Sequence, residues 1–188
     1  MDILEDLNNK DDIVIYKFAD DGTVKISADT TNMCLQTLQV VLHSVQSWAF
    51  KWRMIINCDR NKTEIICFNT AENNRDLIPE SFKLGDKSVQ VVSKTKVLGV
   101  LIDEDLSFLP QSDMIYNILT SKWAIICNNC NRHWGFTQRV MCQLIKTLFL
   151  STTLYASHVW MTPENMKQIN QLYYKMMKSA VFNQVCGI

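Results

Sequence analysis

The sequence is poor in the residues that break a chain. Five glycines and three prolines in 188 residues leave little material for a collagen-like, linker-rich or loop-dominated architecture. Net charge is missing too, with nineteen Lys and Arg against nineteen Asp and Glu. A zero total speaks at first against a nucleic-acid partner, because phosphate binding wants a basic surface. No stretch approaches the roughly 18–20 uncharged apolar residues of a membrane span. The opening Met1-Asp2-Ile3-Leu4-Glu5-Asp6 is acidic, the wrong chemistry for a secretory signal or a basic transit peptide. The seven cysteines (Cys34, Cys58, Cys67, Cys127, Cys130, Cys142 and Cys186) are odd in number and scattered. They suit reduced thiols rather than a disulfide framework. The expectation is a soluble intracellular chain, nuclear or cytoplasmic, with no membrane partner.

What is present describes a packed protein. Hydrophobic residues make up 47% and charged residues 20% of the chain, the composition of a globular fold. The length fits one ordinary domain, or one domain with a small helical annex. The neutral total conceals an uneven distribution. Residues 1–30 carry eight acids and three lysines, and residues 31–110 carry nine charges of each sign. Residues 111–188 carry seven basic residues against only Asp113 and Glu164. An acidic head is cancelled by a basic tail.

Local patterning divides the chain in the same sense. Ile13-Val14-Ile15-Tyr16-Lys17-Phe18 and Thr23-Val24-Lys25-Ile26-Ser27 are β-rich runs around Ala19-Asp20-Asp21-Gly22, which reads as a hairpin turned through Asp-Gly. Asp29-Thr30-Thr31-Asn32 offers N-cap chemistry. Leu35, Leu38, Leu42, Val45, Trp48, Ala49 and Trp52 then recur at helical spacing over about twenty residues. Thr63–Phe68 predicts a strand, Ser81–Val92 a second hairpin, and Lys96–Ile102 a further strand. After Pro110 no β-rich run returns. Three helical patterns follow, the last opened by Thr162-Pro163-Glu164, where Thr caps and Pro fits the first turn. The predicted class is α+β, with residues 1–108 mixed and residues 109–188 an all-helical annex.

Asp20 and Asp21 at a hairpin tip suit two functions. Asp is an ordinary turn residue, and two carboxylates on a tight turn also bind hard divalent cations such as Mg²⁺. Cys127-Asn128-Asn129-Cys130-Asn131-Arg132-His133 contains a C-x-x-C and a nearby His, but the paired ligands of a closed zinc site are missing. Arg132, Arg139, Lys146, Lys167, Lys175 and Lys178 stand among Trp134, Tyr173 and Tyr174. That mixture suits phosphate contact and base stacking, or simply the solvated faces of three packed helices.

Phe18-Ala19-Asp20-Asp21-Gly22 after an apolar strand resembles the [Tyr/Phe]-Ala-Asp-Asp hairpin of reverse transcriptases, especially those of non-LTR, LINE-like retrotransposons of the Jockey type. Trp48-Ala49-Phe50-Lys51-Trp52 followed by Asn57-Cys58-Asp59-Arg60-Asn61-Lys62-Thr63 is similar to the family's next block. Phe82-Lys83-Leu84-Gly85 and Lys96-Val97-Leu98-Gly99-Val100-Leu101-Ile102-Asp103, trailed by Leu106-Ser107-Phe108, are similar to the block after that. The tail through Tyr155-Ala156-Ser157-His158-Val159-Trp160 resembles the thumb region.

The resemblance implies a partial polymerase palm over residues 1–108 and a thumb-like region over 109–188. It implies Asp20 as the principal metal ligand with Asp21 its weaker neighbour, and Lys62 beside the incoming triphosphate. It also implies Leu98, Gly99 and Val100 as a grip on the primer terminus. Arg132, Arg139, Lys146, Lys175 and Lys178 would meet nucleic acid. The implied cofactor is Mg²⁺ or Mn²⁺ in two-metal nucleotidyl transfer, and the implied partners are an RNA template, a DNA primer and a dNTP. The family's earlier aspartate block, its nucleotide-binding block and its fingers would precede Met1. The chain is therefore expected to be the C-terminal half of an RNA-directed DNA polymerase, inactive without the missing N-terminal half. The alternative is a non-catalytic, retroelement-derived remnant that acts as a nucleic-acid or protein interaction module.

Overall fold

The computed structural model describes residues 12–59, 62–68, 72–128 and 136–181. The class is α+β, as the patterning predicts. The chain forms two compact units, Met1–Thr95 and Lys96–Ile188.

The first unit is built on one long helix. Strands β1 (Ile13–Phe18) and β2 (Asp21–Ile26) pair antiparallel from Ile13↔Ile26 to Phe18↔Asp21. Alternation sends Ile13, Ile15, Val24 and Ile26 to one face, where they meet Val41 and Val45 of helix α1 (Thr31–Lys51). The opposite face leaves Val14, Tyr16 and Phe18 at 37%, 56% and 66% exposure. The Thr30 side chain caps α1 by accepting from the Met33 amide, as the Thr-rich approach predicts. One turn of α1 serves two cores. Val41 closes the hairpin cluster, while Leu42 packs with Phe82, Leu84 and Val89 of a second sheet.

That second sheet holds β3 (Glu64–Ile65), β4 (Ser81–Leu84) and β5 (Lys87–Val91) in the order β3-β5-β4. β4 and β5 form the expected hairpin. Gly85 turns it at φ +64°, and a Cβ there would sit 2.6 Å from the Gln46 side chain. The predicted strand Thr63–Phe68 is corrected to two residues. β3 runs parallel to β5 with Ile65 opposite Val91, and β5 ends at Val91, so residues after Ile65 have no ladder to join.

In the second unit, β7 (Val100–Asp103) pairs with β6 (Lys94–Val97), the strand that carries the chain from one unit to the other. The single strand expected over Lys96–Ile102 is thus corrected to a hairpin. Leu98 at φ +46° and Gly99 at φ +88° break it, since two successive positive φ values make a type I′ turn. Helices α2 (Leu109–Asn128), α3 (Gln138–Thr153), the short α4 (Ser157–Trp160) and α5 (Pro163–Val181) follow. They share one core of Ile115, Leu119 and Trp123 from α2, Ile145 and Phe149 from α3, Trp160, and Ile169, Leu172 and Met176 from α5. Val100 of β7 joins it. Thr162 caps α5 through the Asn165 amide, with Pro163 in the first turn as expected. Among the described residues no helix is long and apolar enough to cross a membrane.

Candidate active site and nucleic-acid interface

The β1–β2 hairpin turns through Ala19 and Asp20, because Phe18 and Asp21 already face each other as the last pair. Ala19 alone lies at positive φ, +52°, the pattern of a type II′ turn. The turn therefore sits one pair ahead of the Asp-Gly expected to form it. Gly22 stands opposite Lys17 within the ladder, with open space where a Cβ would be. The consequence is placement. Asp20 occupies the turn itself and Asp21 the first strand position, and both are exposed. Two hard oxygen donors at the outermost point of a hairpin fit two ligands of a Mg²⁺ or Mn²⁺ site. Among the described residues, no group of three His, Cys, Asp or Glu side chains comes together to hold a metal.

Lys62 lies in a loop closed by its neighbours. The Asp59 amide donates to Asn57 Oδ1 at 2.9 Å, the Lys62 amide to the Asp59 carbonyl at 3.0 Å, and the Thr63 hydroxyl to the Asn57 carbonyl at 2.7 Å. Asn57 and Thr63 thus shape the loop, and Lys62 is left exposed. Arg60 and Asn61 lie outside the described residues.

The three grip candidates separate. Leu98 and Gly99 form the exposed turn between β6 and β7, while Val100 is buried in the helical core. The Tyr155 hydroxyl donates to the Leu98 carbonyl at 2.5 Å, and its ring lies 3.2 Å from where a Gly99 Cβ would be. No local pattern in the sequence marks Tyr155. Only a contact 57 residues away in the chain gives it a role.

Below the turn, buried polar groups fix the base of the hairpin. Asp103 accepts from the Ser107 hydroxyl at 2.7 Å and the Ser107 amide at 3.0 Å with one oxygen, and from the Phe108 amide at 2.8 Å with the other. Burial pushes its carboxyl up, but the hydrogen bonds from Ser107 and Phe108 together outweigh burial and hold it below the ordinary carboxylate value. Gln111 Oε1 accepts the Leu101 amide at 2.8 Å. Asn165 Nδ2 donates to the carbonyls of Ser107 and Trp160, both at 3.0 Å, while the Ser112 hydroxyl donates to the Asn165 carbonyl at 2.6 Å. β7, α2, α4 and α5 are thereby tied at one end of the unit.

Of the basic residues of α3 and α5, Arg139 and Lys178 stand at one end of the bundle, Lys146 and Lys175 nearer its middle, and Lys167 toward the other end. Gln138, the first residue of α3, donates to the Val181 carbonyl at the end of α5, so the two helices run antiparallel. Arg139 and Lys178 therefore lie near that end. Lys146 is roughly 12 Å along α3 from it and Lys175 roughly 9 Å along α5, at 1.5 Å per residue. All four are exposed, and Tyr174 beside them is 72% exposed. Arg132, Trp134, Cys130 and His133 lie outside the described residues. Cys127 is disulfide-bonded, which corrects the expectation that every cysteine is a reduced thiol. Cys34, Cys58 and Cys142 are free thiols.

No protein-family model matches the chain, and no solved structure matches it. Over 147 residues, 78% of the chain, it is 26% identical to the Retrovirus-related Pol polyprotein from type-1 retrotransposable element R1 of Bradysia coprophila. The matched region spans 14% of that polyprotein. The similarity points to a retroelement origin for this chain.

Proposed function

We propose that the chain is the palm–thumb portion of a non-LTR retrotransposon reverse transcriptase of the Jockey type, whose parent enzyme carries out metal-dependent nucleotidyl transfer. The observation that supports this best is the paired carboxylate, Asp20-Asp21, at the tip of an exposed hairpin in a chain similar to a retrotransposon Pol polyprotein. Asp20 and Asp21 would hold Mg²⁺ or Mn²⁺, and the rest of the polymerase would complete the ligand set. The bound ions would activate the primer hydroxyl and steady the departing pyrophosphate.

The chain's own residues have separable tasks. Lys62 brings a mobile positive charge to the triphosphate. Leu98 and Gly99 meet the primer terminus, with Val100 anchoring their turn in the core. Arg139, Lys146, Lys175 and Lys178 neutralise the backbone of the RNA template and DNA primer, and the Tyr174 ring offers a stacking surface. A second reading, a binding module without chemistry, draws on the lack of a third metal-ligating side chain near the pair among the described residues.

Two assays test the nucleic-acid and metal assignments. Binding of a fluorescent primer–template duplex should weaken steeply with salt and show little sequence preference. The logarithmic slope should flatten by about 0.9 for each contacting cation removed. Salt-insensitive or absent binding overturns the nucleic-acid assignment. The 188-residue chain should incorporate no dNTP on its own. Templated incorporation with Mg²⁺ that Asp20→Ala abolishes would refute the need for further ligands.

A further inference from the structure

We draw no further inference here: the strongest candidate, the apolar outer face of the β1–β2 hairpin formed by Val14, Tyr16 and Phe18, stands exposed, and nothing in the structure shows what covers it.

Discussion

Asp103→Asn tests the buried polar brace at its most demanding point. The side chain is 8% exposed and accepts three hydrogen bonds, from the Ser107 hydroxyl, the Ser107 amide and the Phe108 amide. These bonds hold a segment in which Leu106 and Phe108 both lie at positive φ, +54° and +55°. Asparagine has the same shape but replaces one acceptor oxygen with a donor, which then faces a donor. Hydrogen bonds to a charged group contribute roughly 1.5–3 kcal/mol each, and an unsatisfied buried donor costs about 1–3 kcal/mol. The substitution should therefore cost about 2–4 kcal/mol at pH 7. The pH dependence supplies a second constraint. The folded carboxyl titrates below its unfolded value of about 3.9. Its contribution is thus fully present above pH ~4 and lost as pH falls through the folded value. Urea unfolding of both proteins, followed by far-UV circular dichroism, should show a gap at pH 7 that persists at pH 5 and shrinks below pH ~4. The difference between the two proteins isolates the Asp103 carboxyl. A gap under about 0.5 kcal/mol at pH 7, or one that does not change with pH, would refute the role given to this carboxylate.

Two tryptophans should lose different amounts of stability on replacement by Phe. Trp48 Nε1 is buried without a hydrogen-bond partner, so Trp48→Phe trades lost packing for a relieved donor and should cost less than about 1 kcal/mol. Trp160 is fully buried and its Nε1 is bonded; Trp160→Phe should cost about 2–4 kcal/mol, and equal losses in chemical denaturation would contradict the distinction. Asn165→Ala leaves the Ser107 and Trp160 carbonyls without their donor. It should speed hydrogen exchange in α2 and α5 by the equivalent of about 2–3 kcal/mol, and unchanged protection there would argue against the brace. Asp20→Asn and Asp21→Asn alter exposed groups and should change the unfolding free energy by no more than about 0.5 kcal/mol, so a large loss would mean the pair has a structural role.

The helical elements were the most legible part of the sequence. The apolar spacing of α1, α2, α3 and α5 and the Thr30 and Thr162 caps are local signals, and local signals suffice where a helix satisfies its own backbone. The strands were read less well because their limits depend on partners. β3 stops where β5 ends, and Lys96–Ile102 looks continuous until Leu98 adopts a conformation that propensity disfavours. The hairpin tip shows the same limit. Asp21-Gly22 has the composition of a turn, yet the register that pairs Ile13 with Ile26 and Ile15 with Val24 over α1 places the turn at Ala19-Asp20. Burying Ile13 and partly covering the other three outweighs the preference of one dipeptide. Tyr155, Gln111 and Asn165 were invisible because each works through a contact distant in the chain.

The support beneath Asp20-Asp21 constrains any catalytic reading. The hairpin is packed on α1 at its base, through Ile13 and Val41, with Ile15, Val24 and Ile26 partly covered. From Ile13 to Phe18 is roughly 17 Å of strand at 3.3 Å per residue, and burial fades along it until Phe18 and the turn are exposed. A two-stranded hairpin is only marginally stable where nothing packs against it. Metal-assisted transfer needs its ligands placed to about half an ångström. These facts are compatible with phosphoryl chemistry only if another surface covers Val14, Tyr16 and Phe18 and stiffens the ribbon. The polymerase reading therefore requires two things at once of the remainder of the enzyme, a further metal ligand and an apolar surface against this face. A single substitution that restored a third carboxylate near the tip would meet only the first.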